Sequence, residues 1–165
     1  EEYLVKRGAQ DAVVGVEYVG VEQAKPALGV IEAIMDSELV IICPSNPIVS
    51  VGTILSIAGV REALKKTKAK KVAVSPIVAG APIKGPADKL LSGLGFEVSA
   101  FSVAKLYSDF LDVFVLDTAD AAEKSRIEAL GLEAKVANTV MKDNESKIAL
   151  AKIVLNASAV KCCSK

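Results

Sequence analysis

Short β-branched runs alternate with helix-patterned segments along the whole chain, and this alternation restricts the fold more than any other feature. It is sharpest at Ile41-Ile42-Cys43-Pro44-Ser45-Asn46-Pro47, where an apolar run stops in a polar, proline-stiffened loop. A helix-patterned run begins near Val51, so the order is strand, loop, helix. The pattern recurs at Lys71–Ser75, Asp112–Asp117 and Glu133–Ala137, with helices expected at about Pro26–Ser37, Val51–Thr67 (bent near Gly59), Pro86–Gly93, Val103–Phe110, Ala119–Leu130 and Asn144–Ala159. Two further strands are expected at Val13–Gly20 and Glu97–Ala100. Alternation of this kind predicts one α/β domain over residues 1–165, a Rossmann-like, mostly parallel sheet with helices on both faces. No repeat, low-complexity segment or linker interrupts it.

Composition agrees with that fold and removes several kinds of chemistry. Hydrophobic residues make up 52% of the chain and tryptophan is absent, as suits a buried parallel sheet. Histidine is also absent, so Ser-His-Asp and Cys-His catalysis and all His-containing metal sites are excluded. A metal would have to be a hard cation on oxygen ligands, such as Mg²⁺. Twenty acidic residues balance twenty basic ones, which gives no electrostatic case for a nucleic-acid partner. Cys43 is expected to pack as a small apolar group at the end of a buried strand. Cys162 and Cys163 are adjacent and predict no disulfide framework. A reducing cytoplasm follows, and no apolar stretch is long enough to cross a bilayer. The chain opens Glu1-Glu2-Tyr3 without an initiator Met, and the expectation is the carboxyl-terminal portion of a longer protein.

Polar residues follow each strand: Pro44-Ser45-Asn46, Ser75-Pro76, Asp117-Thr118 and Asn138-Thr139. In a parallel sheet these share one edge with the amino ends of the following helices, where an anion such as a phosphate is favoured. Lys84, in the loop Gly80-Ala81-Pro82-Ile83-Lys84-Gly85-Pro86, could add a mobile charge. Each of these residues also has a plain structural use, as a turn former, a cap or a solvated lysine. Asp112 and Asp117 flank one strand and should lie at opposite ends of the sheet, so they cannot share a metal. The Gly-x-Gly-x-x-Gly fingerprint and the Walker loop are both absent. The residues alone therefore predict a cytoplasmic α/β domain that binds a phosphorylated small molecule.

The run Cys43-Pro44-Ser45-Asn46-Pro47-Ile48-Val49-Ser50-Val51-Gly52-Thr53-Ile54-Leu55 resembles the signature of the 2-phospho-L-lactate transferases, which help to make the deazaflavin coenzyme F(420). Further matches follow in order at Val74-Ser75-Pro76-Ile77-Val78, Gly80, Lys84-Gly85-Pro86-Ala87-Asp88, Tyr107 to Val115, and Asn138-Thr139-Val140-Met141, with Lys6-Arg7-Gly8 at the start. The resemblance covers nearly the whole chain, as the carboxyl-terminal half of the family. It departs at Cys43 and Thr53, where many members carry Gly and Pro.

The resemblance implies transfer of a 2-phospholactyl or phosphoenolpyruvyl group from a guanosine diphosphate conjugate of lactate or enolpyruvate to the 5-deazaflavin precursor, with release of GMP. Mg²⁺ and a homodimer are implied with it. By the same carry-over Ser45, Asn46, Ser50 and Gly52 lie near the nucleotide or its phosphates, and Ser75, Gly80, Lys84 and Gly85 build the adjoining wall. No catalytic base or metal ligand is assigned. The rival is a non-enzymatic sugar-nucleotide-binding regulator of the gluconeogenesis-factor type, which resembles the transferases more distantly. Such regulators carry a Gly-Pro-Gly-Ser type loop where this chain has Pro44-Ser45-Asn46-Pro47.

Overall fold

A computed structural model describes residues 2–157. Cys162 and Cys163, and the last two residues expected in the closing helix, lie outside them. Helix α1 (Val30–Asp36) leads into strand β1 (Leu39–Ile42), and α2 (Val51–Ser56) and α3 (Val60–Lys66) lead into β2 (Lys70–Val74). A small hairpin of β3 (Ile77–Val78) and β4 (Ala81–Pro82) precedes α4 (Ala87–Gly93) and α5 (Ala100–Tyr107). Then come β5 (Val113–Asp117), a 3₁₀ segment (Thr118–Glu123), α6 (Lys124–Glu128), β6 (Glu133–Ala137) and α7 (Asn144–Ala157). The four long strands form one wholly parallel sheet in the order β1-β2-β5-β6.

Side-chain alternation along the central strands divides the core between the two faces, because successive strand residues point to opposite sides. Val72, Val74, Val113 and Val115 meet Leu150 and Val154 of α7 on one face. Ala73, Phe114 and Leu116 meet α3 to α6 on the other, through Leu64, Leu91, Val103 and Ile127. The sheet thus has helices on both faces, as the alternation predicts. Phe114 and Leu116 are fully buried, and each contributes about 1.5–3 kcal/mol of apolar transfer. Gly59, at φ 89, breaks the run after Val51 into two helices at the expected place.

Five expectations need correction. Residues 13–20 form no strand. Val14 and Val19 are exposed, Val13 and Val16 rest on the core, and Tyr18 is held by a bond to the Ile48 carbonyl instead of a neighbouring strand. Residues 97–100 form none either, because Ser99 caps α5 by accepting from the Ser102 amide. Strand β1 is an edge strand with Ile41 and Cys43 exposed, so Cys43 does not pack in a buried strand. Finally, α1 starts at Val30 because Gly29 is left-handed (φ 86), and the helix expected from Ala119 is a 3₁₀ segment kinked at Asp120 followed by short α6.

Candidate functional site

A cleft of about 620 Å³ opens where the parallel strands end, a volume in the range that holds small ligands. The loop after β1 contributes Pro44, Ser45, Asn46 and Ser50, and the turn after β2 contributes Ser75 and Pro76. The hairpin and the loop beyond it bring Val78, Pro82, Ile83, Lys84 and Gly85. From beyond β6 come Thr139, Val140 and Met141, and from α7 comes Lys147. The topology explains the convergence, since all four strands run the same way and deliver their following loops to one edge.

Of the residues expected at a site, Ser45, Asn46, Ser50, Ser75, Lys84 and Gly85 line this cleft. Gly52 and Gly80 do not. Gly52 packs under Tyr18, where an added Cβ would collide with the phenol oxygen and stand 2.9 Å from the Pro47 carbonyl oxygen. It lines a separate cavity of about 200 Å³ with Tyr18, Arg61 and Tyr107. Gly80 occupies the hairpin tip at φ 73. Thr139, Val140, Met141 and Lys147 were not among the expected site residues, although Asn138-Thr139 was visible as a strand-end pair. Lys147 gives no signal in the sequence, because a lysine in a helix is usually only solvated.

The polar groups of the cleft are not equally available. Asn46 Oδ1 accepts from the amides of Ile48 (2.9 Å) and Val49 (3.1 Å), and its carbonyl accepts from the Ser50 and Val51 amides. Those four amides, which an anion could otherwise use, are engaged by Asn46 itself. The Asn46 Nδ2 group and the Ser45 and Ser50 hydroxyls make no hydrogen bond among the described residues. Ser75 is 2% exposed and its hydroxyl both donates to the Ile77 carbonyl and accepts from the Ile77 amide, so it closes a turn. Lys84 and Lys147 have no ion-pair partner among the described residues.

Asp117, Asp112 and Asp109 are committed to structure. Asp117, at the end of β5, accepts from the Thr139 amide and hydroxyl and from Ala119 N and Thr118 Oγ1. Burial pushes its carboxyl up, but these bonds outweigh burial and hold it below its usual value. Asp112, at the far end of β5, pairs with the buried Lys71 at 3.0 Å. Asp109 grips Arg61 through two bonds of 2.6 and 2.9 Å, and the Arg61 hydrogen bond is the main cause of its lowered pKa. No acidic side chain lines the cleft, and among the described residues no group of three or more Cys, Asp or Glu side chains could hold a metal. The cleft lining itself therefore offers no carboxylate ligand to a Mg²⁺ ion. The arrangement suits an anion with an apolar portion: two unpaired lysines, three polar groups without partners, and Val78, Ile83, Val140 and Met141 beside them. No described helix is long and apolar enough to cross a membrane.

Comparison with known proteins agrees with this architecture. The crystal structure of Protein BH3568 from Bacillus halodurans superposes with a TM-score of 0.54 at 18% identity, covering 79% of this chain and 47% of that one, a likeness of fold. In sequence, 2-phospho-L-lactate transferase of Methanosarcina mazei is 48% identical over 155 residues, 94% of this chain and 50% of that protein. Phosphoenolpyruvate transferase of Streptomyces griseus is 42% identical over 156 residues, 94% of this chain and 49% of that protein. The chain spans about half the length of the curated relatives it matches. The family model described as 2-phospho-L-lactate transferase CofD matches residues 1–158. With the ordered motifs and the parallel sheet, these matches establish that the chain belongs to the 2-phospho-L-lactate transferase CofD family.

Proposed function

We propose that this chain is the carboxyl-terminal portion of a cytoplasmic transferase. It moves a 2-phospholactyl or phosphoenolpyruvyl group from the guanosine diphosphate conjugate to the 5-deazaflavin precursor of coenzyme F(420). The observation that carries the reading is a cleft at the strand ends with Lys84 and Lys147 unpaired among the described residues and no carboxylate on its wall. A wall of that charge favours a diphosphate and disfavours a cation. The names of the relatives supply the class of group transferred, a phosphorylated three-carbon acid.

In the proposed reaction the terminal ribityl hydroxyl of the deazaflavin attacks the phosphorus that bears the acid. A new P–O bond forms to that oxygen, the bond to the GMP phosphate breaks, GMP departs, and the hydroxyl proton is released. Chemistry of this type depends on in-line positioning and neutralised phosphate charge. Lys84 and Lys147 supply charge, while Ser45, Ser50 and the Asn46 amide supply hydrogen bonds. Ser75 and Gly85 shape the wall. Neither a histidine nor an acidic side chain stands on this cleft to take the proton. A Mg²⁺ requirement and a homodimer belong to the proposal.

The test is a product assay on the full-length gene product. It is incubated with Mg²⁺, the deazaflavin precursor and the guanosine diphosphate conjugate of lactate or of enolpyruvate. Formation of GMP together with the phosphodiester product supports the reading. Absence of GMP with both conjugates, in a protein that is folded, overturns it.

A further inference from the structure

We propose that Asp120 is a positioning residue for the cleft: its buried carboxylate holds the β3–β4 hairpin at Ala79 and so fixes the wall that carries Ile83, Lys84 and Gly85. The inference rests on the reading of that cleft as a nucleotide site. It begins from the hairpin, whose two strands pair at only Ile77↔Pro82 and Val78↔Ala81. So short a ribbon is not stable alone and needs an anchor. At its base the anchor is Ser75, whose hydroxyl closes the turn onto Ile77, with Ile77 itself fully buried. Nothing comparable holds the tip by packing, since Ala79, Gly80 and Ala81 are all exposed.

The tip is also strained. Ala79 (φ 51) and Gly80 (φ 73) are both left-handed, the geometry of a two-residue hairpin turn. Glycine adopts it freely, whereas alanine does so against its own preference. An outlier of this kind persists only where the surroundings determine it. Here the Ala79 amide donates to Asp120 Oδ2 at 3.0 Å. Asp120 is 6% exposed and leaves helical geometry (φ −105, ψ 15) inside its 3₁₀ segment. Both partners of this bond therefore depart from regular backbone geometry, Ala79 as a non-glycine at positive φ and Asp120 as a non-helical residue inside its 3₁₀ segment. Three residues earlier, Asp117 holds Thr139, another residue of the cleft. One short turn after β5 thus ties down both the hairpin wall and the wall after β6.

The experiment compares Asp120→Ala and Asp120→Asn with the wild type in the full-length gene product, by amide hydrogen exchange and by calorimetric titration with GDP. Asparagine keeps an acceptor oxygen for the Ala79 amide, and alanine does not. In Asp120→Ala the expected result is exchange about tenfold faster over residues 78–84 and GDP affinity about tenfold weaker, with β2 and β5 still protected. Asp120→Asn is expected to recover most of both. Unchanged hairpin exchange in Asp120→Ala overturns the proposal. So does a loosened hairpin with wild-type affinity, or an Asp120→Asn variant no better than Asp120→Ala. Absence of GDP binding by the wild type instead overturns the nucleotide reading, and the exchange result then decides alone whether Asp120 holds the hairpin.

Discussion

Asp117 Oδ2 accepts from the amide of Thr139 at 2.8 Å and from its hydroxyl at 2.9 Å, so one carboxylate oxygen joins the end of β5 to the loop after β6. The carboxyl is held below its usual value because the bonds it accepts outweigh the burial that opposes ionisation. A depressed folded-state pKa stabilises the fold above the unfolded value and loses that contribution as pH falls through the folded one. Asp117→Ala should cost about 1–3 kcal/mol at pH 7. The gap to wild type should narrow as pH falls below about 4. Denaturant melts from pH 7 to pH 2.5 check this, and a gap constant over that range would contradict it.

Gly52 lies where a methyl group would strike the Tyr18 hydroxyl and crowd the Pro47 carbonyl. Gly52→Ala should cost about 1–3 kcal/mol through overpacking. Tyr18→Phe removes the oxygen that is struck, so the same change should cost less in that background. A double-mutant cycle measures the coupling, expected at about 0.5 kcal/mol or more. Strict additivity would mean that Gly52 does not serve Tyr18.

Gly93 ends α4 against the backbone of Val13, and an added Cβ would collide with the Val13 carbonyl and stand 2.7 Å from Val13 Cβ. The obstacle is main chain, so a side-chain shift cannot relieve it. Gly93→Ala should displace the segment around Val13 and Val16 while leaving the parallel sheet intact. Faster amide exchange over residues 11–18, with β2 and β5 unchanged, is the expected signature. Wild-type exchange in that segment would contradict it.

Lys84 and Lys147 both line the cleft without an ion-pair partner among the described residues. Removing either should weaken GDP binding by up to about fivefold at low salt. The double variant should also lose much of the salt sensitivity of binding, since screening acts on these charges. Titrations at two ionic strengths measure both effects. Equal affinities and equal salt dependence in all variants would remove the lysines from the site.

The central strands were legible because their signal is redundant. Lys70–Val74 and Val113–Asp117 carry β-branched and apolar runs stopped by polar residues, and each is paired on both sides in the sheet. Val13–Gly20 carries the same local signal, yet no strand pairs with it among the described residues, and strand formation depends on a partner that the local sequence does not contain. The glycines were ambiguous for a similar reason. Gly52 near a strand-end loop reads equally as room for a phosphate or room for a tyrosine, and only the fold brings Tyr18 to it. Asn46 was identified as a loop residue with polar groups, but that its oxygen caps its own loop depends on backbone geometry. Asp120 and Lys147 reach the cleft region through tertiary packing alone.

The most direct measurement is calorimetric titration of the full-length gene product with GDP and, separately, with UDP-N-acetylglucosamine, both with Mg²⁺. The account predicts selective binding of GDP that weakens when Lys84 or Lys147 is replaced. Preference for the uridine sugar nucleotide, or GDP binding indifferent to both lysines, would contradict it.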